Sequence, residues 1–228
     1  METQAILVAG GKGSRLYPFT RYTQKTLLPL YDRPVIDYAL GTIRRGGISK
    51  ITIISNEHIG QIAKHVGQSL EGEQIHYVLE ENPLGVAEAL SLARPYNENC
   101  RLLVYFSDNI TTVEFDDLIA DFMDQNEPPG CILLAREEEN PHAFGVAVLD
   151  DDGTLLDVVE KPETPPSNLA IGGIYLYDET FWEKFDSAVA ERGTDFSVCV
   201  CVCVCVYVCI CVCVCVSVSV CLPVCVKV

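Results

Sequence analysis

The sequence predicts an α/β fold with a mainly parallel central sheet. Short apolar segments of the kind found in buried parallel strands recur along the first half of the chain. Segments with the apolar spacing of helices lie between them. Strands that alternate with helices form right-handed βαβ units, in which successive strands run parallel. At 228 residues the chain suits one such domain with a small appendage.

The first four strands and their helices follow directly from this alternation. The apolar segments that we assign as strands are Ala5–Ala9, Ile51–Ile54, Ile75–Leu79 and Leu102–Phe106. Helices are predicted between them at 34–43, 59–66 and 85–93. The first helix begins with Pro34, which suits an opening turn, and Gly46-Gly47 closes it.

The second half of the chain adds antiparallel pairing. A helix at 114–123 and a strand at 131–135 continue the alternation. The segments 144–149 and 154–159 flank a turn that contains Asp152-Gly153, which predicts a hairpin. A last helix is predicted at 178–190, with Trp182 as a packing residue. We therefore expect a Rossmann-like sheet that is parallel in its main part and mixed overall.

Three loops follow predicted strands at the same edge of this sheet. They contain Gly10, Glu80 and Asp108. Ligands of parallel sheets bind at the carboxyl ends of the strands. The sequence therefore predicts one rim on which these loops meet.

The loop Gly10–Gly13 has the composition of a phosphate site. Its glycines let backbone N–H groups approach an anion, and Lys12, Arg15 and Lys25 add positive charge. The spacing is not that of a Walker A loop, and Leu16 stands where a dinucleotide fingerprint has its third glycine.

Ser107-Asp108-Asn109 directly follows the fourth predicted strand. A carboxylate there can hold Mg²⁺ against phosphate oxygens, since this cation prefers oxygen ligands. The same residues also suit a simple Asx turn that closes the strand. The two interpretations stay open on the residues alone.

A long motif extends the glycine loop. It is Gly-Gly-x-Gly-Ser-Arg-Leu-Tyr-Pro-x-Thr, four residues, then Lys-x-Leu-Leu-Pro-x-Tyr-Asp-x-Pro, over 10–34. This string closely resembles the sugar-1-phosphate nucleotidyltransferases, and among them most closely the glucose-1-phosphate thymidylyltransferase type. The resemblance covers roughly residues 4–193. It implies a GT-A-like domain that uses Mg²⁺ to join dTTP and glucose 1-phosphate into the nucleotide sugar dTDP-glucose, with release of pyrophosphate.

The resemblance also implies roles for individual residues. Arg15 would hold the leaving pyrophosphate, Lys25 and Lys161 would flank the α-phosphate and the sugar phosphate, and Asp108 would bind the metal. The residues implied in nucleotide binding are Val8, Gly10, Gly11, Gly13, Ser14, Arg15, Lys25, Glu80 and Gly85. Those implied in sugar-phosphate binding are Gly145, Glu160, Lys161, Ile171 and Tyr175.

Glu80 departs from the family pattern, which has Gln at this position. A carboxylate can accept a hydrogen bond from N3–H of thymine or uracil but cannot donate one to a base carbonyl. Two milder departures are Ser107 in place of Gly and Phe144 in place of Tyr. The choice between dTTP and UTP therefore stays open.

The tail from Val198 alternates Val and Cys almost to its end, and ten of the twelve cysteines lie between Cys199 and Cys225. As a β-strand it would be apolar on both faces and prone to aggregation. As a metal site it lacks the Cys-x-x-Cys loops of zinc proteins. We favour a third interpretation, a translated GT repeat, because GTG encodes Val and TGT encodes Cys. We divide the chain into a nucleotidyltransferase domain at 1–196 and a low-complexity tail at 197–228.

The tail has consequences for the implied site. The family has a second magnesium ligand, an Asp, where this chain has Cys199, and a thiol suits a hard cation poorly. The resemblance suggests a homo-oligomer, but the C-terminal contacts of the family are missing. We therefore expect a domain truncated at its C-terminus. A catalytically inactive remnant that binds nucleotide or sugar phosphate is the alternative, as is an enzyme that uses UTP or GTP.

The net charge and the hydropathy of the chain limit the classes of partner that we expect. Sixteen Lys and Arg against thirty-two Asp and Glu give a net charge of −16, which argues against nucleic acid or an anionic membrane surface as a partner. The N-terminus has no basic leader, and the first 197 residues contain no apolar run of membrane-spanning length. We expect a cytoplasmic protein that acts on small molecules.

Overall fold

The computed structural model describes residues 1–67, 72–82, 84–111, 116–124, 130–151, 155–192, 208–213 and 223–226. In this part of the chain ten strands form one sheet. Eight of them lie side by side in the order β12 (Pro223–Val226), β11 (Val208–Cys213), β7 (Cys131–Glu137), β10 (Leu169–Tyr177), β6 (Arg101–Phe106), β1 (Thr3–Val8), β4 (Lys50–Ser55) and β5 (Gln74–Leu79). Of the other two, β8 (Gly145–Leu149) pairs with β10, and β9 (Leu155–Glu160) pairs with β8. A two-stranded hairpin of β2 (Pro29–Leu30) and β3 (Arg33–Pro34) lies outside the sheet.

The first half of the sheet is parallel, as predicted. It consists of β1 (Thr3–Val8), β4 (Lys50–Ser55), β5 (Gln74–Leu79) and β6 (Arg101–Phe106). β1 pairs in parallel with β4 and with β6, and β4 pairs in parallel with β5. The carboxyl ends of these strands therefore meet at one edge. The helices between them are α1 (Val35–Arg45), α2 (Ile59–Val66) and α3 (Val86–Ala93).

The second half makes the sheet mixed. β7 (Cys131–Glu137) does not pair with β6, because β10 (Leu169–Tyr177) lies between them and runs antiparallel to both. β8 (Gly145–Leu149) and β9 (Leu155–Glu160) form the predicted hairpin, whose turn lies outside the described residues. The remaining helices of the described chain are α4 (Asp116–Asp124) and α5 (Phe181–Arg192).

The core has two layers, one on each face of the sheet. Alternate residues of β1 show the division, since Ile6 packs towards one cluster and Leu7 towards the other. α3 and α5 cover the first face, where Trp182 is buried and donates from Nε1 to Asn97 O at 2.8 Å. α1 and α4 cover the second face. Trp182 is thus a packing residue, as the sequence predicted.

The last helix begins later than its pattern predicted. The start at Asp178 was wrong, because this residue caps the turn before α5. Its Oδ1 accepts from Thr180 N at 2.9 Å, and its backbone oxygen accepts from Phe181 N at 3.2 Å. An Asp that bonds to the backbone two residues further on favours a turn over a helix interior.

Two segments of the Val-Cys tail are described, and both are strands. β11 (Val208–Cys213) pairs in parallel with β7, and β12 (Pro223–Val226) pairs antiparallel with β11. Cys199 lies outside the described residues. The boundary at 196 and the origin of the tail stay predictions. Within the described residues, no helix is both long and apolar enough to span a bilayer.

Candidate active site

The glycine loop leaves the end of β1 with little room for side chains. Gly13 has a φ of 61°, in the left-handed region that favours glycine. A Cβ on Gly11 would lie 2.8 Å from Lys25 Nζ. Thr20 Oγ1 donates to Gly13 O at 2.9 Å and holds the loop closed. The backbone of the loop therefore lines the clefts on either side of it.

Buried polar side chains fix the base of this loop. Gln24 Nε2 donates to Ala9 O and, at 3.1 Å, to Ser55 Oγ. Ser55 Oγ also donates to Ala9 O at 3.2 Å, and Asn56 Nδ2 donates to Gly10 O at 3.3 Å. Sequence reasoning missed these three residues. The available signal was the Ser55-Asn56 pair directly after a parallel strand, at the edge where loops meet.

A cleft of about 580 Å³ lies beside the loop and is rich in positive charge. Gly11, Gly13 and Ser14 line it together with Lys12, Arg15, Lys25 and Asp108. Arg15 is exposed and makes no hydrogen bond or ion pair with the described residues. Lys25 Nζ lies 2.5 Å from Asp108 Oδ2. This arrangement suits the phosphates of a nucleotide.

A second cleft of about 360 Å³ lies on the other side of the loop. Most of its surface is apolar. The residues that line it are Val8, Gly10, Gly11, Gly85, Val86, Ala89 and Phe106, with the charged side chains of Lys12, Lys25, Glu80 and Asp108. Gly85 has a φ of 132°, which only glycine adopts without strain. Glu80 is 4% exposed, and burial, with a smaller contribution from the charge of Glu88, raises its pKa. This cleft suits a flat, largely apolar group such as a nucleobase.

A third cleft of about 500 Å³ opens between β6, β10 and the β8–β9 hairpin. Its lining includes Gly145, Glu160, Lys161, Ile171 and Tyr175. Lys161 has a φ of 45°, unusual for a residue with a side chain, and its N–H donates to Phe144 O at 2.9 Å. Its Nζ lies 3.3 Å from Glu160 Oε1. A cation and an acid thus project together towards one cleft.

Asp108 lines all three clefts and joins them. Its neighbour Asn109 fixes this corner, since Asn109 Oδ1 accepts from Gly173 N at 3.0 Å and Nδ2 donates to Asp108 Oδ1 at 3.3 Å. A Cβ on Gly173 would lie 2.9 Å from Phe106 Cβ and would collide with Asn109. Asn109 was missed by sequence reasoning, which assigned a role only to the Asp.

Every predicted site residue lines at least one of these clefts. Val8, Gly10, Glu80 and Gly85 line the apolar cleft, and Ser14 and Arg15 line the cationic one. The residues predicted for the sugar phosphate line the third. The structure therefore brings the set together on one rim, and the role of each residue stays a prediction.

At the junction of the three clefts, Asp108 is the residue that could bind magnesium. Among the described residues, no group of three or more His, Cys, Asp or Glu is arranged to hold a metal ion. Mg²⁺ is bound in nucleotide sites by one or two carboxylates together with substrate phosphates and waters. Asp108, beside the phosphate cleft, meets that requirement as a single carboxylate. The position counted for a second ligand, Cys199, is outside the described part.

Comparison with known proteins gives a family match. The model of the family described as "Nucleotidyl transferase" matches residues 4–204. A glucose-1-phosphate thymidylyltransferase of Streptomyces antibioticus is 35% identical over 181 residues, which are 79% of this chain and 51% of the relative. The low-salt glycan biosynthesis nucleotidyltransferase Agl11 of Haloferax volcanii is 34% identical over 186 residues, with 80% and 51% covered.

A solved structure agrees with the fold. It is that of a Bacillus anthracis protein assigned as a glucose-1-phosphate thymidylyltransferase, in complex with a sucrose. The TM-score is 0.80 at 31% identity, and the match covers 87% of this chain and 80% of that one. The chain spans about half the length of the two curated relatives named above. The resemblance inferred from the long motif and the α/β fold predicted from the strand pattern are both confirmed.

Proposed function

The chain belongs to the nucleotidyl transferase family, and on that premise we propose that it transfers a nucleotidyl group from dTTP to glucose 1-phosphate. The products are dTDP-glucose and pyrophosphate. The observation that carries the proposal is the junction at Asp108, where a cationic cleft, an apolar cleft and the Glu160–Lys161 cleft meet. A nucleotide bound across the first two would present its α-phosphate to a sugar phosphate bound in the third.

The chemistry is an in-line displacement at phosphorus. A phosphate oxygen of the sugar 1-phosphate attacks the α-phosphorus and forms a new P–O bond. The bond from the α-phosphorus to the bridging oxygen of the β-phosphate breaks, and pyrophosphate leaves with the electron pair. No covalent enzyme intermediate is required. The task of the protein is to hold both substrates in line and to balance the negative charge that develops.

Three cations divide this task. Arg15, unpaired in the described structure, is available to the β- and γ-phosphates as they become pyrophosphate. Lys25 lies at the junction, where its Nζ contacts Asp108 Oδ2 and where the α-phosphate would be placed. Lys161 belongs to the third cleft and holds the attacking sugar phosphate, with Glu160 beside it for the sugar hydroxyls.

Magnesium completes the proposed site. Asp108 would hold it, and the ion when bound supplies charge neutralisation to the phosphates. Lys25 would then exchange its contact with Asp108 for the phosphates themselves. The ion pair places both groups at the junction of the three clefts.

The first test is pyrophosphate release from dTTP, glucose 1-phosphate and Mg²⁺, with UTP and GTP in parallel. We expect turnover with dTTP and a loss of about 100-fold or more in Arg15→Ala, the cost usually seen when one charge-stabilising donor is removed. Arg21→Ala is the matched control, because Arg21 lies in the same loop but lines none of the three clefts. An Arg15→Ala protein as active as its parent would refute the role of Arg15.

A second candidate function is nucleotide or sugar-phosphate binding without turnover. It is favoured by Cys199, which stands where the resemblance implies a second magnesium ligand. Saturable binding of dTTP by a folded protein that releases no pyrophosphate with any of the three nucleotides would establish it. Turnover with UTP or GTP but not with dTTP would support the proposed reaction with a different nucleotide substrate.

A further inference from the structure

Glu80 is one of two acidic residues that line the apolar cleft, the other being Asp108, and its burial is unusual for a charged residue. It directly follows β5, and its N–H donates to Ser55 O at 2.8 Å, which fixes its backbone on the rim. The residue is 4% exposed. Its carboxyl group nevertheless has no hydrogen-bond partner among the described residues. Buried carboxyl groups in folded proteins usually have one.

The carboxyl group lies directly against the glycine loop. A Cβ on Gly10 would collide with Glu80 Oε2, so only glycine at this position lets the side chain extend over the loop. Val8, Val86, Ala89 and Phe106 supply the apolar walls around it. A polar group held between apolar walls, with its own hydrogen bonds unmade, is the arrangement by which a cleft selects a ligand.

The charged groups that face Glu80 come from four elements. Glu88 on α3 is an acid and disfavours a second negative charge. Lys12 of the glycine loop and Lys25 line the same cleft, as does Asp108 after β6. Lys25 forms an ion pair with Asp108. Burial and Glu88 together raise the pKa of Glu80, so the neutral acid persists to higher pH than for an exposed Glu.

The two protonation states of a carboxyl group match different bases. An ionised carboxylate only accepts, and it therefore suits the adjacent N1–H and N2–H₂ donors of guanine. Thymine and uracil present a single N3–H donor between two carbonyl oxygens, and a carboxylate would lie against one of those oxygens unpaired. The neutral acid has one acceptor and one donor, as the side chain of Gln has, and satisfies both N3–H and a carbonyl.

We propose that Glu80 determines nucleotide choice, and that it recognises thymine or uracil as a neutral carboxylic acid whose O–H donates to a base carbonyl while its C=O accepts from N3–H. The inference rests on the proposed function, and it gives the substitution of Glu for Gln a chemical meaning. Ionisation of Glu80 weakens binding of dTTP and UTP and favours GTP. Nucleotide choice in this protein is therefore dependent on pH.

The test compares the parent protein with Glu80→Gln and uses dTTP, UTP and GTP between pH 6 and pH 9. Gln offers a donor and an acceptor at every pH. We expect the KM for dTTP of the parent to rise by about tenfold per pH unit once Glu80 ionises, as one linked proton requires. The KM of Glu80→Gln should stay flat over the same range. Titration of the nucleotide phosphates affects both proteins equally, so the difference between the two profiles isolates residue 80.

Two more variants separate recognition from a structural role. Glu88→Gln removes the neighbouring charge without changing the lining of the cleft. Because this charge helps to raise the pKa of Glu80, we expect the KM for dTTP to begin its rise at a lower pH in this variant. Glu81→Gln is the control, because Glu81 is exposed and outside the cleft, and its profile should match the parent. A side chain that only supports the fold would not produce this pattern.

The outcomes also separate this inference from the proposed function. Turnover with the same pH profile and nucleotide ranking in the parent and Glu80→Gln would overturn the inference and leave the function standing. If no nucleotide is turned over, calorimetric binding of dTTP and GTP across the same pH range makes the same comparison on the inactive protein. Failure of the parent and of Glu80→Gln alike to bind any nucleotide would overturn both proposals.

Discussion

Lys25 and Asp108 form an ion pair at the point where the three clefts meet. Their side chains are 21% and 46% exposed, so the ion pair contributes little to the free energy of unfolding. Its significance is positional, because it keeps a cation and a carboxylate at the junction of three clefts. Lys161, with its φ of 45°, is a further residue in which the backbone is held for the sake of the site.

Glu80 also affects stability, and the sign follows from the direction of its pKa shift. The pKa is raised in the folded state by burial and by Glu88. Its contribution to stability is therefore fully present below its unfolded pKa, about 4.3, and is lost as the pH rises through the folded value. We expect Glu80→Gln and the parent to unfold at similar urea concentrations at pH 4, and Glu80→Gln to be the more stable at pH 8.

Urea unfolding of both proteins at several pH values measures this difference. Glu81→Gln again serves as the control, since an exposed carboxyl group should show no such trend. Equal stability of Glu80→Gln and the parent at pH 8 would mean that Glu80 ionises without a penalty, contrary to its burial.

The site residues could be found from the sequence more completely than the side chains that support them. The long motif marks Gly10–Arg15 and Lys25, which line the clefts beside the glycine loop. Gln24 and Asn109 are supports, and their partners are 31 and 64 residues away in the chain. A pattern of local residue types carries no information on such distant partners.

At the scale of elements, Gln24 ties the loop after β1 to the end of β4. Its amide bonds to Ala9 O and Ser55 Oγ and accepts from Lys25 N at 2.5 Å. We expect Gln24→Ala to lower the free energy of unfolding by about 1–3 kcal/mol, because it leaves buried polar groups unpaired. It should also raise the KM for nucleotide, since the glycine loop loses its anchor.

Chemical denaturation together with nucleotide titration checks both effects. Gln74→Ala is the matched control, because Gln74 is an exposed glutamine at the start of β5. A Gln24→Ala protein with unchanged stability and KM would show that the hydrogen bonds to Ala9 and Ser55 do not hold the loop.

The strand pattern predicted the parallel half of the sheet well but did not predict the place of β10. Each βα unit between β1 and β6 is local, so periodicity and turn signals were sufficient. The pairing of β10 with β6 and β7 joins residues about 70 and 40 positions apart. Nothing in the segment 169–177 itself specifies which strands it will separate. Asp178 was included in the following helix for a similar reason, since its capping contact is a feature of the turn.

At the scale of the whole molecule, the question is whether the tail belongs to the domain. The described part of the tail adds β11 and β12 to the edge at β7, on the far side of β10 from the nucleotide clefts. We expect a chain that ends at residue 196 to fold and to be stabilised by dTTP as the full chain is, by about 2.7 kcal/mol at 100 times the Kd.

Thermal unfolding of both chains with and without dTTP and Mg²⁺ makes the comparison. The shortened chain has one new exposed edge at β7, so its solubility is measured alongside. Loss of folding or of the dTTP effect in the shortened chain would show that the boundary at 196 is wrong and that the tail is part of the domain.

The position of β10 in the sheet also affects the order in which the strands can pair during synthesis. During synthesis β1, β4, β5 and β6 emerge first and can pair as they appear, so the glycine loop and the apolar cleft can form early. β7 emerges next but cannot yet join that sheet. The strand that lies between β7 and β6 is β10, which is complete only at Tyr177. Until then β7 carries unpaired edges that attract other chains. We therefore expect the glycine loop and the apolar cleft to form before the Glu160–Lys161 cleft, and the nascent chain to be most prone to aggregation in the interval between them.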